Sequence, residues 1–564
     1  MNVDYQQGQI KIKEFKVTTM IILKNGRFFT GTVAGGRLVE PAGWTFANTM
    51  IIHDDLITHV GEEGDAEISQ ARQTGAEEID LKNRIVLPGF IDGHMHLLLF
   101  GSSLAKVSLD WCKDLDEIRA TIKKFAESNP DVSRILCSGW MHSATRAEGE
   151  VRASMLDDLD SRPIYIDAKD LHSVWSNTPA LSEMGVQSLS DPVGGVIHRD
   201  ETGRASGLLS EAAANQLVWP FLAKAASMEE KLRVTREAIR VYSQAGYTGM
   251  VEMAMDENAW ETLLLMKDQE PGILPMRIAC HWLITPKDTH EGNLEQVERA
   301  IALHKQYNAE NSPNFRIAGI KIICDGVVDA CTAALREPYS SNGIHCDTLW
   351  LPEMLDPVVQ RADQAGLQCA LHAIGDQAIK MAVDALERVS GPNRRHRIEH
   401  LELTSPEDAI RLGKLGITAS IQPVHSDPAI FGAWPKLIGE HRCGRAFAYK
   451  EFLDSGATLA IGTDAPTAAH MPLPNFYTAT TRRSAMEPES EATVNEHFAL
   501  GIASTVVAAT AGAAYSCFAD GWTGSLRKGL KADFVVLDVE WKAETLLKGV
   551  VRETWFDGKK VFGA

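Results

Sequence analysis

Short apolar runs alternate with longer amphipathic stretches through the middle of the chain. Stretches such as "MEEKLRVTREAIRVYSQAG" have the 3.6-residue period of a helix, and they separate the apolar runs. The run that begins at Val86 is the first of eight predicted strands. The other seven are "YTGMVEMAM" (247–255), "MRIACHWLI" (276–284), "IAGIKIICDG" (317–326), "GLQCALHAIG" (366–375), "RRHRIEHLE" (394–402), "GITASIQPVH" (416–425) and "ATLAIGTDAP" (457–466). Eight strands that alternate with helices predict an α/β fold, a (β/α)8 TIM barrel.

The two ends of the chain have a different pattern. Residues 19–87 and 511–564 hold short β-like segments and turns, so we expect both ends to form one β-sandwich domain. The barrel is assigned to residues 88–100 and 235–510. The segment between the first two predicted strands is too long for a loop, so 101–234 is predicted to be an inserted α/β subdomain over the barrel mouth.

The composition narrows the class of protein. Apolar residues make up 45% of the 564 residues, and the net charge is −19 without a basic block, which argues against nucleic acid and anionic membranes as partners. The nine cysteines are scattered without a CxxC, so no disulfide framework is expected. The start "MNVDYQQGQIKIKEF" has no apolar signal region. We expect a soluble, cytoplasmic protein that acts on a small molecule.

The stretch "VLPGFIDGHMHLLLFG" places two histidines in a run typical of a buried strand. His94 and His96 are two residues apart, so on a strand they point to the same side. At the carboxyl end of a barrel strand that side faces the active-site mouth. Two imidazoles there can bind one metal ion. An HxH pair alone is weak evidence for a metal site, because such a pair as often has a structural role.

Four other predicted strands end on a polar side chain suited to a metal site: Lys321, His372, His400 and Asp464. Each has a structural alternative, since a lone histidine can be a hydrogen-bonded core residue and an aspartate can cap the next helix. The lysine is harder to explain, because a buried ammonium is costly unless it is paired or neutralised. Their coincidence with the HxH pair predicts a metal centre.

Several motifs in this order resemble one known superfamily. "PGFIDGHMHLLLFG", "GIKIICDGVVDACTAALREPY", "GLQCALHAIGDQA", "HRIEHLE" and "IGTDAP" are similar to the amidohydrolase superfamily, and within it to the YtcJ-like branch, amidohydrolase family 3. N-substituted formamide deformylases belong to that branch. The tail "GSLRKGLKADFVVLD" also resembles the β-sandwich of these enzymes. The likeness continues to the C-terminus and implies a metal-dependent hydrolase.

The resemblance also implies roles for the polar strand ends. His94, His96 and Asp464 would hold one metal, and His372 and His400 a second. Lys321, carboxylated by CO2, would bridge the two ions. Zinc or another divalent ion is expected, and one or two ions remain open.

The pocket is predicted less firmly. Each substrate-binding candidate has a structural alternative, namely loop stabilisation, packing or turn shape: His425, His172, Trp175 and Asp325. Relatives often have small and basic residues where this chain has Asp329 and Cys331, so their substrate preference does not transfer.

The expected reaction is hydrolysis of a non-peptide C–N bond, of amide or formamide type, in a small molecule. Asp464 would act as general base and then general acid beside the metal. A deaminase or cyclic-amide hydrolase with a single metal is the alternative. A non-catalytic binding protein on the same scaffold should have lost metal ligands, and here all six positions are filled. The resemblance also allows a homodimer.

Overall fold

The structure is a computed structural model. It describes residues 19–39, 43–109, 111–142, 144–145, 151–169, 173–192, 195–211, 213–269, 274–391 and 393–563.

The central sheet consists of eight parallel strands, each paired with the next along the chain. Their bounds are Phe90–Met95, Tyr247–Met255, Arg277–Ile284, Phe315–Ile323, Gln368–Ala373, Arg397–His400, Thr418–Ile421 and Leu459–Ile461. Most of their residues are buried, as expected for strands covered on both faces. The predicted TIM-barrel-like α/β fold is confirmed, and we number these strands barrel strands 1 to 8.

Helices follow the barrel strands along the chain. Their bounds are Met228–Gln244, Glu257–Gln269, His290–Gln306, Pro352–Gln364, Asp376–Glu387, Pro406–Leu415, Pro428–Phe431, Trp434–Ile438, Glu440–Cys443, Tyr449–Asp454, Pro472–Thr481, Ile502–Val507 and Ala513–Ser516. Local sequence explains several of their ends. Ser227 and Glu230 form a capping box at one start, and Gly416, at a φ of 67°, ends the helix before barrel strand 7.

Barrel strands 1 and 8 meet to close the sheet. The backbone N–H groups of Thr463 and Asp464 donate to the carbonyl of His94 at 3.2 and 2.7 Å, and the N–H of His96 donates to Ala465 at 2.9 Å. A Cβ on Gly462 would lie 2.5 Å from the His94 nitrogen, so only glycine allows this approach. Closure therefore brings the HxH pair next to Asp464.

The apolar run that begins at Val86 is not one strand, which corrects the sequence interpretation. Ile85–Pro88 belongs to a different sheet, Phe90–Met95 is barrel strand 1, and Leu97–Leu104 is a helix. That helix packs on Met228–Gln244, where Gly101 faces the backbone of Val234. Periodicity missed the change, because all three pieces are apolar and short.

The N-terminal part of the chain forms a four-stranded sheet, and strands from both chain ends combine in a six-stranded sheet. The four-stranded sheet contains Leu56–Gly61, Thr49–His53, Met20–Lys24 and Glu77–Asp80; the six-stranded one contains Lys559–Phe562, Val550–Phe556, Phe534–Asp538, Ile85–Pro88, Arg27–Gly31 and Trp44–Ala47. Ile21 and Met50 of the first sheet share an apolar core with Phe28 and Phe534 of the second. A short hairpin, Val33–Ala34 with Arg37–Leu38, and the helix Ala66–Gln73 accompany them.

The segment between barrel strands 1 and 2 has its own six-stranded sheet and core. Its strands are Val107–Ser108, Ile135–Trp140, Ile164–Ala168, Ser173–Ser176, Ala205–Glu211 and Gly195–Arg199, with helices Leu115–Ser128, Thr178–Met184 and Trp219–Ala225. The helix Met228–Gln244 runs across the predicted boundary at 234, and the domain limits stay predictions.

No helix among the described residues is long and apolar enough to cross a membrane.

Candidate metal centre

The HxH pair converges on one carboxylate oxygen. The Nε2 atoms of His94 and His96 lie 3.2 and 3.1 Å from Oδ1 of Asp464. All three side chains are mostly buried at the carboxyl ends of barrel strands 1 and 8. Burial alone would raise the pKa of Asp464, but the neighbouring histidines hold it well below its ordinary value. The carboxylate is therefore ionised at neutral pH.

A buried ion pair lies behind His94. Nδ1 of His94 donates to Oε2 of Glu399 at 2.7 Å, and Arg397 binds the same carboxylate at 2.6 Å. Although burial opposes it, Arg397 and His94 keep the pKa of Glu399 well below its usual range, so this carboxylate only accepts. Nε2 of His94 is then the nitrogen that faces Oδ1 of Asp464. Two atoms with lone pairs this close repel, unless a proton or a cation lies between them.

His372 and His400 extend the cluster from barrel strands 5 and 6. The His400 ring centroid lies 4.4 Å from that of His372 and 5.0 Å from that of His94. Burial lowers the pKa of His372 to about 3 and that of His400 well below its usual value, so both imidazoles are neutral. Nδ1 of His400 is buried without a hydrogen-bond partner among the described residues. Nε2 of His372 lies 3.3 Å from the Gly326 carbonyl oxygen.

The backbone at two of these strand ends is strained. His400 and Asp464 have φ angles of 75° and 59°, in the left-handed region that side chains other than glycine rarely adopt. Such residues cost about 1–3 kcal/mol each and cluster at functional sites.

Lys321 lies in the same interior, on barrel strand 4. It is buried and forms no hydrogen bond or ion pair with the other residues that the structure describes. Burial lowers its pKa, and the negative charges of Glu399 and Asp464 oppose that change. Burial in this setting favours the uncharged form of the lysine side chain.

These residues fit a divalent cation. Ligand atoms of His94, His400 and Asp464 lie within 4.8 Å of one another, which is the spacing of groups that share an ion. Imidazole nitrogens and a carboxylate oxygen are the donors that zinc and similar ions prefer. A positive ion would satisfy the unpartnered Nδ1 of His400. It would also remove the repulsion between Nε2 of His94 and Oδ1 of Asp464, which face each other.

Three buried glutamates near the centre were not predicted as site residues. Glu399 orients His94, and Glu402 accepts from Nδ1 of His425 at 3.1 Å. Glu252 accepts from the backbone N–H of Leu97, and burial raises its pKa to about 7. Glu252 is an acid in the apolar run "YTGMVEMAM", and that pattern was an available signal. Glu399 and Glu402 lie on either side of His400 in "HRIEHLE", a mostly polar stretch in which no such contrast marks them.

The predicted pocket residues lie in different surroundings. His425 reaches the centre, with Nε2 3.8 Å from Oδ2 of Asp464. Asp325 accepts from the backbone N–H groups of Ala334, Ile374 and Gly375 at 2.8–3.0 Å and so organises the loops below the mouth.

Of the two candidates from the inserted segment, the structure describes only Trp175. Trp175 is completely buried in the core of its own sheet and donates to the carbonyl of Arg152 at 3.0 Å, which corrects its assignment to the substrate. His172 lies outside the described residues.

Comparisons with known proteins agree with this architecture. A protein from Arabidopsis thaliana named "Protein LONG AFTER FAR-RED 3" is 30% identical over 96% of this chain and 91% of its own length. "Putative amidohydrolase YtcJ" of Bacillus subtilis is 28% identical over 82% and 85%, and an N-substituted formamide deformylase of Arthrobacter pascens 24% over 91% and 94%.

One solved structure shows the same fold. It is an uncharacterized metal-dependent hydrolase from Pyrococcus horikoshii, which superposes with a TM-score of 0.76 at 23% identity and covers 93% of this chain and 99% of its own. The model of the amidohydrolase family matches residues 77–562. The resemblance noted from the motifs is confirmed: this chain belongs to the amidohydrolase family.

Proposed function

We propose that this hydrolase cleaves a non-peptide C–N bond, of amide or formamide type, in a small molecule. The observation that carries the proposal is the contact of one Asp464 oxygen with the Nε2 atoms of both His94 and His96. One relative, an N-substituted formamide deformylase, supports this bond type. A metal-dependent deaminase or cyclic-amide hydrolase is the alternative outcome of the test below.

The centre would hold one or two divalent ions, with zinc the first choice for these donors. His94, His96 and Asp464 would hold one ion, and His372 and His400 a second, with Lys321 between them as a carbamate. When bound, such an ion supplies a Lewis acid and lowers the pKa of coordinated water to about 7.

The protein's own groups would handle the protons and the orientation of the site. The ionised Asp464 carboxylate would accept the proton of the attacking water and deliver it to the leaving nitrogen. Glu399 would keep His94 in one tautomer and one orientation through the 2.7 Å hydrogen bond.

The test is a substrate panel with protein that has been reloaded with Zn²⁺. N-acyl amines, N-substituted formamides, lactams and aryl amides are incubated, and amine, carboxylate and ammonia are measured separately. Amine with carboxylate or formate supports the proposal, while ammonia as the sole nitrogen product supports the deaminase. Turnover that is unchanged in Asp464→Ala would contradict the assigned role of Asp464.

The state of Lys321 can be read separately. Protein reloaded with Zn²⁺ in ¹³C-labelled bicarbonate is expected to show a carbamate resonance by ¹³C NMR, and Lys321→Met should lack it. A wild-type spectrum without that resonance would show that Lys321 is not carboxylated.

A further inference from the structure

A second histidine–glutamate pair faces the centre from the opposite side of Asp464. His425 lies in the short 3-10 turn Pro423–Ser426, which follows barrel strand 7. Its Nδ1 donates to Oε1 of Glu402 at 3.1 Å, and its Nε2 lies 3.8 Å from Oδ2 of Asp464. The pair repeats the arrangement of Glu399 and His94, whose Nε2 faces the other oxygen, Oδ1.

His400 completes a second group of ligand atoms. Its ring is nearly parallel to that of His425, with an interplanar angle of 8° and centroids 5.8 Å apart. One ligand atom each from His400, Glu402 and His425 lies within 4.8 Å of the others. The buried Nδ1 of His400 has no hydrogen-bond partner in the described part of the chain, so it is available to this group.

The hydrogen bond to Glu402 decides what His425 offers. Nδ1 of His425 is engaged by Glu402, so Nε2 is the ring nitrogen that faces the centre, 3.8 Å from Oδ2 of Asp464. Both side chains are mostly buried. Histidines that bind metals usually donate their other N–H to a carboxylate, which fixes the tautomer and makes the free nitrogen more basic.

We propose that His425, oriented by Glu402, is a further cation ligand of this centre and shares its ion with His400. This inference rests on the proposed function, because it assumes that the centre binds a divalent ion. It changes the role expected for His425 from substrate contact to ion binding. It also gives Glu402, which is buried beside the mouth, the same orienting task that Glu399 performs for His94.

The test measures Zn²⁺ affinity rather than turnover. Full-length protein is freed of metal with a chelator and titrated with Zn²⁺ in competition with a chromophoric chelator. His425→Asn is expected to weaken Zn²⁺ binding by at least about 10-fold, and the isosteric Glu402→Gln by roughly 10- to 100-fold. The matched control is His470→Asn, since His470 packs on Phe100 and Tyr242 and should not affect affinity.

A second readout reports the ligands directly. In Co²⁺-loaded protein, loss of a nitrogen ligand should shift the visible absorption bands in His425→Asn and leave them unchanged in His470→Asn. Thermal unfolding of each variant shows that it is folded, and Glu402→Gln, which keeps the side-chain volume, tests the same claim if His425→Asn does not fold.

The outcomes separate this inference from the proposed function. If folded His425→Asn binds Zn²⁺ like the wild type with unchanged Co²⁺ bands, the inference is overturned and His425 serves as a proton carrier or a substrate contact. Asp464→Asn is measured in parallel. If its Zn²⁺ affinity is also unchanged, the proposed centre itself fails; if only Asp464→Asn loses affinity, the centre stands without His425.

Discussion

One oxygen of Asp464 lies within 3.2 Å of two imidazole nitrogens, and the other faces a third imidazole. Nearby histidines keep this carboxylate ionised although it is buried. An ionised acid in contact with imidazoles that could bind a metal suits both ion binding and proton transfer.

At the residue scale, Asp464→Asn should therefore lower kcat by roughly 10²- to 10⁴-fold while the fold is kept. The activity is measured on the substrate that the panel identifies, with thermal unfolding as the check on folding. Asp427→Asn is the matched control, because Asp427 is a buried aspartate that accepts from the backbone N–H groups of Ala429 and Ala485. It should lose stability and keep kcat; equal kcat in both variants would argue against the role of Asp464.

The ion pair behind His94 gives a second prediction at this scale. Glu399→Gln removes the counter-charge of Arg397, which is completely buried. Breaking a buried pair from one side costs about 3–5 kcal/mol, so the free energy of unfolding should fall by that order. Calorimetry of the cation-free protein measures it, and Zn²⁺ affinity should fall as well.

The control for that variant is Glu257→Gln, which breaks the solvent-exposed pair with Arg299. Exposed pairs contribute little, so this variant should unfold almost like the wild type. A Glu399→Gln protein as stable as Glu257→Gln would mean that the buried pair does not stabilise the barrel.

At the scale of elements, barrel closure depends on the backbone contact between strands 1 and 8. A Cβ on Gly462 would lie 2.5 Å from the nitrogen and 2.9 Å from the Cα of His94, and neither atom can rotate away. Gly462→Ala should destabilise the protein by about 1–3 kcal/mol and weaken Zn²⁺ binding, because His94 must move. Thermal unfolding and the chelator competition measure the two effects.

The matched substitution is Gly444→Ala, at a helix end with a φ of −65° and no atom within 4 Å of the added Cβ. It should be neutral in both measurements. If Gly462→Ala behaved in the same way, the two strands would not be in the tight contact described here.

At the scale of the whole molecule, the centre joins elements far apart in the chain. Its proposed ligands His94, His372, His400 and Asp464 lie at the ends of barrel strands 1, 5, 6 and 8, so a bound ion would link both ends of the sheet. Ligands that bind only the folded state stabilise it by mass action, by about 4 kcal/mol at 1,000 times Kd. Removal of metal with a chelator should therefore lower the unfolding temperature, and Zn²⁺ should restore it.

Asp464→Asn is the control for that experiment, since the same Zn²⁺ concentration should raise its unfolding temperature less. An unfolding temperature that did not change with Zn²⁺, in protein shown to bind it, would argue that the ion does not link the strands.

Much of the fold followed from the sequence, because its cause is local. Apolar runs separated by helical periodicity predicted the eight strands, and parallel strands place their carboxyl ends at one mouth. His94, His96, His372, His400 and Asp464 were predicted for that reason. The split of the run at Val86 was missed, since a strand and a short helix of continuous apolar residues have the same composition.

The residues that hydrogen-bond to these predicted ligands were identified only from the tertiary structure. His94 and Glu399 are 305 residues apart, and no periodicity in the chain relates them. Glu399 accepts from His94 because its side chain lies in the barrel interior, next to barrel strand 1. The sequence determined which polar residues end the strands, since strand period and direction are local properties; their partners and tautomers came only from long-range packing, which brings distant buried charges together.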